Sequence, residues 1–304
     1  MMATARAAAD GKASPSPSTP APAPDRSPAA DRSPTKGSSN VRVIVRFRPE
    51  NGLERERGAP TCVELGADET SVKIVDKRNP EHDEVIGTFH FDRVFPADAE
   101  QKLVYEESAL PLVGDLLEGY NCTVFAYGQT GSGKTHTMMG AARTFDGGGV
   151  IPRIVHSVFE HISAAPETAE FTVRASYVEL YLERIQDLLG PAAGAAAARS
   201  SGLRIRENGE RGIFIEGVTE EYASSPEDLM DLMAEGSQNR SVAATRMNAD
   251  SSRSHSIFTL TVEHFEGGAR KTGRMYLVDL AGSELLSKTQ ASGQTLKEAQ
   301  MINK

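Results

Sequence analysis

A chain of 304 residues with 39% hydrophobic and 25% charged residues can bury a full core, which excludes a fibrous or wholly disordered protein and describes a soluble globular one. A formal net charge of -9 excludes a broadly basic nucleic-acid binder, no apolar run approaches a membrane span, and the two cysteines, Cys62 and Cys122, exclude a disulfide framework or a cysteine metal site. A reducing cytoplasm fits this cysteine usage, and an acidic partner has to be met by local basic patches.

Residues 1–39 are Ala, Pro and Ser with few large apolar side chains, so they cannot offset their ordering entropy by burial and read as a disordered extension. They carry a small repeat, Asp25-Arg26-Ser27-Pro28 and Asp31-Arg32-Ser33-Pro34, that fits proline-directed phosphorylation or plain linker composition. Met1 to Thr19 also fits an organelle transit peptide with Arg6 and Lys12 as its cations, against which Asp10, Asp25 and Asp31 count.

The ordered domain runs from residue 40 to 304. Val41, Val43, Val45 and Phe47 alternate as a strand that Pro49 ends. Val72 to Val75 and Thr88 to Val94 predict two more strands, and the apolar spacing from Leu103 to Leu117 predicts one helix ending at Gly119. Ile151, Ile154, Val155, Val158, Phe159 and Ile162 form the core stripe of another helix, with Pro152 near its start. Phe171 to Tyr177 alternates as a strand, Glu183 to Leu189 reads as a short helix, and Pro191 to Ser200 as a tolerated loop insertion. Leu203 and Ile205 with Ile213 and Ile215 flank Asn208-Gly209 as a hairpin, and Ser225-Pro226 with Asp228 opens the next helix. Strands alternating with helices give an α/β fold.

Residues 123–137, TVFAYGQTGSGKTHT, run from a β-rich segment through a glycine loop into a helix. Gly128, Gly133, Lys134 and Thr135 fill G-x-x-x-x-G-K-[ST], with Gln129, Thr130, Gly131 and Ser132 between them and His136 after. The glycines let backbone N–H groups converge on phosphate oxygens, Lys134 reaches the β/γ-phosphates, and Thr135 offers its hydroxyl to Mg2+.

Two later stretches fit the same chemistry. Asn248, Ser251, Ser252, Arg253 and His255 form N-x-x-S-S-R-x-H before the strand Ser256 to Val262. Blandly this is a serine-rich turn; functionally it is a switch loop whose hydroxyls contact the γ-phosphate and Mg2+. Met275 to Leu280 is an apolar strand leading into Asp279-Leu280-Ala281-Gly282-Ser283-Glu284, where Asp279 is placed to hold a metal-bound water and Gly282 to face the phosphate.

GQTGSGKT from Gly128, NADSSRSH from Asn248 and DLAGSE from Asp279, with RFRP from Arg46, YVELYLERIQDLL from Tyr177 and INK from Ile302, make residues 40–304 resemble a kinesin motor domain. The resemblance implies a three-layer P-loop NTPase, a central mixed sheet with helices on both faces. It implies ATP and Mg2+ as cofactors, microtubules as partner, and hydrolysis coupled to movement in the cytoplasm on the cytoskeleton. The alternative class is a non-motile nucleotide-dependent microtubule-binding or regulatory protein, or an inactive fragment. It further implies that Arg46, Arg48, Pro49 and Tyr105 surround adenine and ribose, that Thr135, Ser252 and Asp279 (through water) hold the metal, and that Arg253 pairs with Glu284 to close the site. Lys134, Ser251, Ser252, Arg253, Asp279, Gly282 and Glu284 are then the catalytic set, and Asn248 a nucleotide contact. Arg184, Arg211, Lys288 and Lys297 match or neighbour basic positions that the family presents to tubulin. Leu285, Gln290 and Ser292 depart from the usual pattern. The family's last strand and helices follow the point where this sequence stops, which implies an empty slot between the strands at Val41 and Thr123 and an unstable sheet. Dimerisation would need a stalk, and neither nucleic acid nor membrane insertion is implied.

Overall fold

The computed structural model describes residues 2–7, 40–58, 61–77, 84–141, 147–190, 202–209, 212–247 and 253–284. In chain order these form β1 (Met2–Ala7), β2 (Val41–Arg46), α1 (Gly52–Arg57), β3 (Val63–Leu65), β4 (Ser71–Asp76), β5 (Glu84–His90), β6 (Arg93–Phe95), α2 (Gln101–Ser108), α3 (Leu110–Leu117) and β7 (Asn121–Ala126). They continue as α4 (Lys134–Met139), α5 (Val150–Ala164), β8 (Glu170–Tyr181), β9 (Arg184–Asp187), β10 (Arg204–Asn208), β11 (Gly212–Glu216), β12 (Glu221–Ala223), α6 (Pro226–Met247), β13 (His255–Glu266) and β14 (Ala269–Asp279).

The central sheet runs β12-β8-β13-β14-β7-β1-β2-β6, with β9 added to β8. It is mixed: β14 and β7 are parallel, as are β2 and β6, and the other pairs are antiparallel. Tyr177, Phe258, Leu277 and Val124 face one another on successive strands and are buried together. Met138, Ile154, Val158, Leu229 and Met233 on α4, α5 and α6 cover that row, so removing this apolar surface from water holds helices to sheet. The apolar stripe of α5 is core, as its spacing predicts.

Four expectations need correction. The extension 1–39 is not wholly without structure: Met2–Ala7 pairs antiparallel with β2 and with β7, so β1 occupies the slot expected to be empty. Two neighbouring ladders with unpaired groups satisfy six more residues of backbone, whatever side chains those residues carry. Residues 8–39 lie outside the described residues.

The helix expected from Leu103 to Leu117 is two helices, broken at Ala109. Pro111 has no N–H to give the carbonyl of Glu107, and the Arg42 guanidinium donates to that oxygen instead at 2.8 Å. The helix expected at Glu183 is the strand β9. Leu182 and Glu183 both have positive φ, 49° and 62°, which makes a tight two-residue turn and folds β9 back on β8. Thr88 to Val94 is split between β5, in a separate sheet with β3 and β4, and β6 at the edge of the central sheet. The hairpin β10 and β11 forms about Asn208-Gly209 as predicted. The insertion at 191–200 lies outside the described residues, as do residues 285–304.

Candidate functional site

β7 feeds the glycine loop and α4 leaves it. Gly133 caps α4 with φ 94°, a left-handed conformation that a side chain would strain. The Lys134 ammonium donates to the carbonyls of Gly128 at 2.8 Å and Gln129 at 3.1 Å, which holds it over the loop. Burial lowers its pKa, and the nearby charges of Asp279 and Glu284 oppose that shift.

Parallel pairing of β14 with β7 sets Asp279 opposite Ala126, where the loop begins. The Thr135 hydroxyl donates to Asp279 Oδ2 at 2.6 Å, while Asp279 Oδ1 is buried with no hydrogen-bond partner. Such an orphaned carboxylate oxygen is costly unless something polar meets it. Among the described residues no group of three or more His, Cys, Asp or Glu could hold a metal ion. One carboxylate beside one hydroxyl is instead the sparse protein set that suits Mg2+, which keeps waters and phosphate oxygens as its other ligands.

The segment after β14 stays on the loop: Leu280 N–H donates to Ala126 O at 3.4 Å and Ser283 N–H to Gly128 O at 3.1 Å. Glu284 then accepts from the Thr130 N–H at 2.9 Å and from the Thr130 hydroxyl at 2.7 Å. Burial raises the Glu284 pKa, but the two bonds from Thr130, its own backbone N–H and the Lys134 charge together leave the carboxyl lowered. A Cβ on Gly282 would run into the Glu284 carboxylate and the Thr130 hydroxyl, so only glycine permits this docking.

The arginines of the RFRP stretch take different positions. Arg46 reaches inward, donating to Gln101 Oε1 at 2.7 Å, Thr137 Oγ1 at 3.2 Å and the Ala99 carbonyl at 3.2 Å, and so ties β2 to α2 and α4. Arg48 donates to the Gly131 carbonyl at 2.7 Å and forks onto Glu54, with exposed Pro49 beside it. The bond from Arg48, with a second from the Asn51 N–H, pulls the Glu54 pKa down to about 2. Gln101 Nε2 also donates to the His136 carbonyl at 2.8 Å. Tyr105 does not belong to this group: it is 4% exposed between α2 and α5, with its hydroxyl donating to Ser157 Oγ at 2.7 Å. Its spacing marks a core position on α2.

Sequence reasoning missed Gln101 and Glu54. Glu54 had a signal, the capping box Asn51-x-x-Glu54 that opens α1; Gln101 had none, since its partners lie 35 and 55 residues away. It also missed that His255 Nδ1 accepts from the Ala281 N–H at 3.1 Å. Lys134, Thr135, Asp279, Ser237, Arg240 and Ser256 line a cavity of about 500 Å3. Arg253, two residues before β13, is half-buried, and Arg184 is exposed at the β8 to β9 turn. Asn248, Ser251, Ser252, Arg211, Lys288 and Lys297 lie outside the described residues.

The family model described as kinesin motor domain matches residues 46–304. The kinesin heavy chain of Botryotinia fuckeliana is 47% identical over 270 residues, 88% of this chain and 29% of that protein. The kinesin heavy chain isoform 5C of Homo sapiens is 44% identical over 267 residues, 87% of this chain and 26% of that protein. A solved structure of a fast kinesin, concerned with ATPase mechanism and interactions with microtubules, superposes with a TM-score of 0.76 at 44% identity, over 86% of this chain and 71% of that one. The chain thus spans between a quarter and a third of the length of these two heavy chains.

Proposed function

Since the chain belongs to the kinesin motor-domain family, we propose that it binds Mg2+ and ATP at the loop 128–135 and hydrolyses ATP in step with binding to microtubules, moving along or pulling on the polymer. The observation that carries this is the pair Thr135 and Asp279 set beside the Lys134 ammonium, with one buried oxygen of Asp279 left to be met. Thr135 and Ser252, with Asp279 through a water, would hold the metal, which would supply positive charge beside the phosphate oxygens. Lys134 exchanges loop carbonyls for β/γ-phosphate oxygens, and the Thr130 and Gly131 backbone lines the same cavity. Glu284 is held ionised by the bonds from Thr130, and would serve as a proton relay once it leaves Thr130 for Arg253 and loses the bonds that lower its pKa. That move would couple the loop to both switches. Arg184, with Arg211, Lys288 and Lys297, would face acidic tubulin.

Localisation on cytoplasmic microtubules follows from the same reading, and no helix among the described residues is long and apolar enough to cross a membrane. No observation favours the non-motile alternative. The test is steady-state ATPase of the full-length protein with and without microtubules, together with co-sedimentation. Strong stimulation and nucleotide-dependent pelleting are expected; nucleotide turnover indifferent to microtubules would overturn the assignment.

A further inference from the structure

None of the six residues of α1 is buried, so this helix adds nothing to the core. What it presents instead is one carboxylate. Asn51 and Glu54 form a capping box, in which the Asn51 side-chain oxygen accepts from the Glu54 N–H at 2.9 Å and Glu54 Oε2 accepts from the Asn51 N–H at 2.9 Å. The box orients the Glu54 side chain independently of any other contact. Arg48 donates twice onto this preset carboxylate, from Nη1 to Oε2 at 2.7 Å and from Nη2 to Oε1 at 2.6 Å. Nη1 also donates to the Pro49 carbonyl at 2.8 Å, and Nε is left to donate to the Gly131 carbonyl at 2.7 Å.

Gly131 stands at the tip of the glycine loop. The peptide unit whose carbonyl meets Arg48 also carries the Ser132 N–H, which donates to the Gln129 carbonyl at 3.1 Å. In a trans peptide these two groups point opposite ways, so the unit is held at both ends. The same short turn holds the Lys134 ammonium through the Gln129 carbonyl and the Glu284 carboxylate through Thr130. Exposed ion pairs are mostly worth little, because two long side chains must be ordered to make them. A two-bond fork onto a carboxylate that a helix cap has already oriented escapes much of that ordering.

We propose that Glu54, set by Asn51, is a positioning residue that holds Arg48 against Gly131 and so keeps the tip of the phosphate loop in its binding shape, whatever base the nucleotide carries. The inference rests on the reading of the loop 128–135 as a phosphate cradle. Glu54 acts through Arg48 and need not touch the ligand.

The test uses the full-length protein in four forms: wild type, Glu54→Gln, Asn51→Ala and Glu56→Gln. Glutamine serves a capping box as well as glutamate does, so Glu54→Gln keeps α1 while it offers Arg48 one oxygen and no charge. Glu56→Gln makes the same charge change at an exposed position of the same helix and should match wild type. A fluorescent ADP analogue is titrated directly, and pyrophosphate with Mg2+ is then titrated against it in competition. Glu54→Gln should raise both Kd values by the same factor, about 5-fold, the size that a well-formed exposed pair can carry. Asn51→Ala should raise both by less. Hydrogen exchange in nucleotide-free Glu54→Gln should quicken at residues 129–133 and keep the wild-type rate in β7 and β13. Wild-type affinities with wild-type exchange in Glu54→Gln would overturn the proposal. So would a weakened ADP analogue with unchanged pyrophosphate, which places Arg48 at the base alone, or an equal effect from Glu56→Gln, which reduces the result to net charge. If wild-type protein binds neither ligand, the reading of the loop fails, and exchange at 129–133 still decides whether Glu54 braces it.

Discussion

His255 Nδ1 accepts a hydrogen bond from the Ala281 N–H at 3.1 Å, which joins the last residue of one candidate sensor to the middle of the other. Antiparallel pairing of Ser256 with Asp279 makes this possible, since it sets the start of β13 beside the end of β14. An acceptor at Nδ1 requires a neutral ring with its proton on Nε2. Burial lowers the His255 pKa, Arg240 lowers it further, and Asp279 partly opposes them. The neutral form is therefore native.

Stability should fall with pH through this histidine. A folded pKa below the ordinary histidine value means that the unfolded chain binds the proton more readily, so the contribution is complete above that ordinary value and is lost as pH falls toward the lowered one. Urea denaturation at several pH values between about 7.5 and 5.5, spanning the ordinary histidine range, should show a steeper loss for wild type than for His255→Asn, whose side-chain oxygen keeps an acceptor without titrating. Equal slopes would remove His255 from the account.

Lys134→Ala should abolish tight nucleotide binding. The ammonium is half-buried over the loop carbonyls, and a preorganised charge in such a site is worth about 100-fold or more in rate. Titration with a fluorescent nucleotide and steady-state ATPase of the full-length protein check this, with unchanged affinity and turnover as the contrary result.

Glu284→Ala should separate binding from hydrolysis. Its carboxylate touches only Thr130 among the loop contacts described above, so the phosphate cradle remains when it is removed. Nucleotide affinity should stay within a few-fold while single-turnover phosphate release slows by about 100-fold or more, the size expected for losing a positioned acid or base. Wild-type release would show that the pairing with Arg253 has been wrongly carried over.

Deleting residues 1–7 should destabilise the whole sheet. β1 bonds along both edges, and each lost backbone bond is worth about 0.5–1.5 kcal/mol net. A loss of a few kcal/mol out of about 5–15 is then expected, seen as a lower urea midpoint and aggregation. Ala5→Pro should act in the same direction by removing a donor from an interior strand. A 304-residue chain equally stable without its first seven residues would show that β1 contributes nothing.

Much of the site was legible in local residues. A glycine loop between strand and helix, an aspartate at the end of an apolar strand, and a turn such as Asn208-Gly209 each depend on a few neighbours, because backbone sterics and side-chain period act over short distances. The glycine loop between β7 and α4, the place of Asp279 at the end of β14 and the stripe of α5 were all readable in that way. Pro111 as the cause of a helix break was available too, but the apolar spacing from Leu103 to Leu117 outweighed it.

Tertiary structure decided where those pieces meet. Tyr105 and a base-contacting tyrosine look alike in sequence; the packing of α2 on α5 buries the ring and commits its hydroxyl to Ser157. Glu284 lies 154 residues from Thr130, and only the parallel register of β14 on β7 brings the two together. Met2–Ala7 has the composition of a linker, yet it becomes an interior strand because the backbone groups of β2 and β7 face one slot and any compatible extended segment can satisfy them. Composition sets what a segment can bury, whereas pairing depends on which backbone partners the rest of the fold leaves open.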